Sequence, residues 1–167
     1  MTVELRSSIA LGALALALTA SAPAMAEVSG RLIVGGQAVP ITHAYAFARQ
    51  GFFDPKKRDV TVVLCDAALP DAAVRDPGER VDLVKAGKLH CVEQTIDADK
   101  QVINFKVQDQ RFKVPEGGGS TEQVFEAKTL DGKTIAGRSY TKSPQKSFDD
   151  IPYSYDITFT LAIAPMR

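Results

Sequence analysis

Tyr153-Ser-Tyr-Asp-Ile-Thr-Phe-Thr-Leu-Ala-Ile163 decides the fold class. Tyr153, Tyr155, Ile157, Phe159, Leu161 and Ile163 fall on every second position, with Ser154, Asp156, Thr158, Thr160 and Ala162 between them. Successive side chains of an extended chain point to opposite faces, so this is a long strand with one buried face. Upstream, Gln123–Leu130 and Thr134–Thr141 flank Asp131-Gly132, a strong hairpin cue. Pro115-Glu-Gly-Gly-Gly-Ser120 reads as a flexible loop.

Nearer the N-terminus, Arg31–Val34 and Gln37–Ile41 flank Gly35-Gly36, and glycine accepts the positive φ of a tight hairpin at no steric cost. Pro40 cannot donate to a ladder, which makes its strand short or places it at an edge. In Thr42–Ala48, Ala44, Ala46 and Ala48 share one face and His43, Tyr45 and Phe47 the other. Val60–Cys65 is β-branched and apolar, the composition of a central strand. Leu89–Ile96 and Gln101–Val107 flank the turn Asp97-Ala-Asp-Lys100. Helical signals are confined to residues 67–87, where Leu69–Arg75 carries Pro70 at its start and Arg80–Ala86 is stopped by Gly87.

Short strands joined by turns predict an all-β fold, an antiparallel β-sandwich of about eight strands with one short helical insert. No internal repeat is present. Gly30-x-Leu-x-Val34-x-Gly36, Ile41-Thr-His-Ala-Tyr-Ala46, Asp131-Gly-x-x-Ile-x-Gly137-Arg138 and Tyr155-Asp-x-x-Phe159 resemble a family of small secreted bacterial β-domain proteins without assigned activity. These motifs are turns and core strands, so the resemblance implies a shared fold and no chemistry.

The chain opens with an apolar run, Ile9–Ala20, followed by Ser21-Ala-Pro-Ala-Met-Ala26. Twelve residues are too few for a helix to cross a hydrocarbon core of about 30 Å, but they suit the core of a secretory signal peptide. Ala24-Met25-Ala26 supplies the small residues for cleavage, with Ala22-Pro23-Ala24 as a second option. The expected division is a signal peptide over 1–26 and one sandwich domain over 27–167. The expected location is periplasmic or secreted, and the Ala-rich signal is bacterial in style. No second apolar run approaches a membrane span.

The mature chain keeps 19 bases and 19 acids. Neutrality removes the positive field that phosphate-backbone binding requires, so no nucleic-acid partner is expected. Cys65 and Cys91 form an even pair in an oxidising compartment and read as one disulfide, with two buried free thiols as the alternative.

Signatures of chemistry are sparse. His43, His90, Cys65 and Cys91 are the available soft metal ligands, but H-x-x-x-H and C-x-x-C spacings are absent, and neither His nor Met follows Cys91 within ten residues. Asp97-x-Asp99 lacks the glycine and closing glutamate of a calcium loop. No G-x-S-x-G elbow occurs, and the adjacent acids Asp149 and Asp150 read as a solvated loop. The expectation is a non-catalytic binding or structural domain without cofactor or metal; the alternatives are a small-ligand or metal binder and an enzyme whose site converges only in three dimensions.

One loop stands out for recognition. Phe52 and Phe53 are followed by Lys56, Lys57 and Arg58 in a stretch without strand period. The ordinary arrangement folds both rings back over the core and leaves the bases solvated. The alternative leaves a ring exposed beside a basic cluster, a contact for an envelope protein or an anionic surface.

Overall fold

The computed structural model describes residues 26–166. The signal peptide expected over 1–26 lies outside the described residues except for Ala26. Eleven strands and two short helices follow in order: β1 Glu27–Val34, β2 Gln37–Pro40, β3 His43–Gln50, β4 Arg58–Cys65, α1 Asp71–Arg75, α2 Pro77–Lys85, β5 Cys91–Ile96, β6 Val102–Gln108, β7 Glu116–Gly118, β8 Gln123–Leu130, β9 Thr134–Thr141, β10 Gln145–Lys146 and β11 Pro152–Ala162.

They form two antiparallel sheets. The first runs β2-β1-β11-β9-β8, with β10 beside β11; the second runs β3-β4-β5-β6-β7. This is the expected sandwich, with β11 central in its sheet and, as its alternation predicts, one face buried. Tyr153, Tyr155, Ile157, Phe159 and Leu161 are buried, while Asp156 and Thr158 face solvent. Their buried face meets Ala46, Val60, Val62, Leu64, Val92, Phe105 and Val107 of the second sheet. Gly35 and Gly36 turn the first hairpin with φ of 56° and 80°, the positive pair that a two-residue turn needs.

The strand count exceeds the expected eight because loops hide short strands. Residues 115–120 were expected to be a loop, yet Glu116–Gly118 pairs with β6 as an edge strand. Glycine carries no side chain, so a strand made of it shows no period.

A third layer covers part of the second sheet. The insert holds two helices separated by Asp76, whose side chain caps α2 by accepting from the Gly78 amide at 2.8 Å. Leu69, Ala73, Val84 and Leu89 pack on Phe47, Val63, Cys65 and Cys91, the outward face of β3, β4 and β5. The strand β4 is therefore buried on both faces, as its continuous apolar run requires. Arg75 stacks over Phe47 with 4.8 Å to the ring centroid and donates to the Pro165 carbonyl at 2.7 Å.

Two polar features tie the sheets together. Gln94 donates to the Tyr155 hydroxyl at 2.8 Å, Tyr155 donates to Gln123 at 2.6 Å, and Ser139 donates to Gln94. This chain bolts the two sheets together through their shared interior. At one end of the sandwich Arg111 grips Asp109 with two hydrogen bonds of 2.7 and 2.6 Å and also donates to the Val34 carbonyl and Gln37 side chain of the other sheet.

Candidate functional site

The β3–β4 connection, residues 51–57, is held by its own backbone. The Gly51 amide donates to the Lys57 carbonyl at 3.1 Å, and the Lys57 amide to the Asp54 carbonyl at 2.9 Å. A Cβ at position 51 would run into the Asp54 carbonyl oxygen, so the close approach requires glycine. The Asp54 carboxylate accepts from the Lys56 amide at 3.0 Å. Asp59, buried at the foot of the loop, accepts from the Phe52 amide at 2.9 Å.

That bracing leaves both aromatic rings outside. Phe52 is 79% exposed and Phe53 is 76% exposed, corrections to the arrangement that folds them back over the core. They pack edge-to-face on each other with centroids 5.0 Å apart. Ala48, Val60 and Ile96 are buried at this end of the sandwich.

The bases are not equivalent. Lys57 pairs with Asp99 of the β5–β6 turn at 3.1 Å, and the hydrogen bond to that carboxylate raises the pKa of its ammonium. Lys56 and Arg58 are exposed and make no ion pair among the described residues. The basic run is thus partly neutralised by a turn that lies 42 residues away in sequence.

Beside the loop lies a groove of about 290 Å³, lined by Arg49, Gln50, Phe52, Thr95, Ile103 and Asn104. It occupies the end of the second sheet that the helices leave bare. Ile103 enters its wall through a bulge. Thr95 pairs with Asn104 and Ile96 with Val102, which leaves Ile103 as the extra residue of β6. A bulge re-aims a side chain and bends the strand. The sequence points to the loop but not to the groove. The one available signal is the broken alternation at Val102-Ile103-Asn104-Phe105.

The other candidate residues fall elsewhere. Cys65 and Cys91 stand directly opposite each other on β4 and β5, with Cα atoms 4.3 Å apart and the sulfurs within bonding distance, both shielded from solvent. His90 lies at the opposite end of the second sheet. Its Nδ1 is 2.9 Å from Asp109, and its Nε2 is 4.0 Å from Asp66. The His43 ring contacts the Thr42 hydroxyl at 2.9 Å, and that hydroxyl donates its proton to the Asp66 carbonyl. Among the described residues no group of three His, Cys, Asp or Glu side chains converges as a metal site. Asp97 closes its own turn by accepting from the Asp99 and Gln101 amides. Asp149 braces the Lys113 amide at 2.8 Å, and Asp150 pairs with Lys146. Among the described residues no helix is long and apolar enough to cross a membrane.

No protein-family model, no curated protein and no solved structure matches this chain.

Proposed function

We propose that the protein is an exported, non-catalytic binding domain of the bacterial envelope, and that Phe52, Phe53, Lys56, Lys57 and Arg58, with the adjoining groove, contact a polypeptide partner. The observation that carries the reading is the pair of adjacent phenylalanines held in solvent by a braced loop. A flexible loop would lose entropy on docking; this one is ordered beforehand, which lowers that cost. Burying one such ring contributes about 1.5–3 kcal/mol, a tenfold or larger change in affinity. The cleavage motif ending at Ala26 and the paired cysteines support an oxidising compartment outside the cytoplasm.

The location is tested by intact mass: exported protein should begin at Glu27, and a full-length mass from the envelope fraction would sink it. For the surface, a photo-crosslinking amino acid at position 53 should yield a discrete protein adduct in intact cells. The same group at position 158, on the exposed face of the other sheet, should not. Phe52→Ser should melt like the wild type and lose the adduct. Absence of any adduct from position 53, or the same adducts from position 158, would refute the surface.

A further inference from the structure

The groove beside the loop carries chemistry of its own. Arg49 lines it, is exposed, and has no carboxylate or carbonyl acceptor among the described residues. Its direct cross-strand neighbour is Asp59, the natural partner for a charge at that position. Asp59 is instead turned to the Phe52 amide and is only 4% exposed. The loop that displays the phenylalanines has thus taken the carboxylate that would otherwise hold Arg49.

The other acids of this end face their own turns or Lys57, and Asp97 accepts from the Asp99 and Gln101 amides. Asp54 accepts from the Lys56 amide, and Asp99 pairs with Lys57. Arg49 also borders a second hollow of about 360 Å³ on its other side, which Arg75 shares. Arg49, Lys56 and Arg58 at this end make no ion pair among the described residues. Beside Arg49, the amides of Gln50 and Asn104 make no side-chain hydrogen bond among the described residues, and Phe52 and Ile103 supply the apolar walls. A guanidinium binds carboxylate by two parallel hydrogen bonds, a geometry that neutral acceptors match poorly. The volume is at the lower edge of the roughly 300–1,000 Å³ usual for small-molecule sites, suited to one or two side chains.

We infer that the groove reads a carboxylate: its occupant is an extended stretch of the partner in which an aromatic or aliphatic side chain stands next to Asp or Glu. The apolar side chain lies against Phe52 and Ile103, and the acid meets Arg49, with Gln50 and Asn104 hydrogen-bonding the peptide backbone. This rests on the loop being the partner surface, and it adds what the partner must present there.

The test uses two short probes on the mature protein, acetyl-Phe-Asp-amide and its neutral analogue acetyl-Phe-Asn-amide, followed by amide chemical shifts. The acidic probe should move the Gln50, Phe52, Ile103 and Asn104 signals and bind about tenfold more tightly than the neutral one. Salt at about 0.5 M should reduce that preference. Arg49→Gln should melt normally and bind both probes alike, whereas Phe52→Ser should weaken both. Equal binding to wild type, a preference that survives Arg49→Gln, or no binding of either probe at tens of millimolar would overturn the inference. Crosslinking from position 53 separates the two failures: adducts that persist without probe recognition leave the surface standing and remove only the carboxylate, and loss of both removes both.

Discussion

Arg80 reaches from α2 to Glu93 on β5 in the layer between the helices and the second sheet, and both side chains are shut off from water. The guanidinium also donates to the Ala73 and Val74 carbonyls at 2.6 and 2.9 Å, closing the end of α1. Breaking such a pair strands a buried charge. Glu93→Gln should therefore cost about 3–5 kcal/mol in urea unfolding, while the double replacement Arg80→Met with Glu93→Leu should recover most of that loss. A single variant as stable as the wild type would mean that water reaches the pair.

The cysteine pair closes a loop of 25 intervening residues that contains both helices. Thiol alkylation of denatured, unreduced protein should label neither Cys65 nor Cys91. Replacing both by Ala should lower stability by about 3–3.5 kcal/mol, chiefly by freeing the unfolded chain. Full labelling of material from an oxidising compartment would reject the bond.

Phe159 stacks against Phe125 at 5.7 Å inside the sandwich, whereas its neighbour Thr158 faces solvent. Phe159→Ala should cost about 3–5 kcal/mol through lost burial and the cavity left behind. Thr158→Ala should stay within about 0.5 kcal/mol. Comparable losses would mean that both faces of β11 are covered.

Acid should weaken the fold through Asp109 and Asp156. Burial opposes the charged form of Asp109, but the side-chain and backbone hydrogen bonds from Arg111, and its charge, outweigh it and hold the carboxyl below its ordinary range. Arg138 does the same for Asp156 through two hydrogen bonds of 2.8 and 2.9 Å. A depressed folded-state pKa stabilises above the unfolded value of about 3.9, and that stabilisation is lost as pH falls through the lower folded value. Unfolding free energy should drop below about pH 4, and less steeply in Asp109→Asn, which is already weakened at neutral pH. An unchanged slope in that variant would remove Asp109 from the linkage.

What the sequence made legible was what side-chain period and turn chemistry encode. β11 was readable from its alternation, the Gly35-Gly36 and Asp131-Gly132 hairpins from their turns, and the insert from Pro70 and Gly87. β7 was hidden because its glycines have no side chains. Tyr155 reads as an apolar core residue, and only the fold brings Gln94, Gln123 and Ser139 to its hydroxyl. The loop at Phe52-Phe53 was visible, but whether it bends inward depends on Asp59 reaching the Phe52 amide, which no local rule states. Arg49 carries no signal in the sequence for a related reason: a charge at a strand end is ordinary unless its cross-strand partner is engaged elsewhere.

The strand that leads the described chain pairs along its whole length with the one that closes it, from Glu27 opposite Thr160 to Val34 opposite Tyr153. The first sheet therefore cannot assemble until residues 152–162 have been delivered, whereas the second is made entirely of residues 43–118. In a chain emerging N-terminus first, the second sheet and its helices can form while β1 and β2 wait as an isolated ribbon. The apolar face of the second sheet stays uncovered in that interval, and pairing at such long sequence separation is slow. Arrival of the final strand is then the step that closes the core, because only β11 brings Tyr155, Ile157 and Phe159 to the apolar face left waiting by the second sheet.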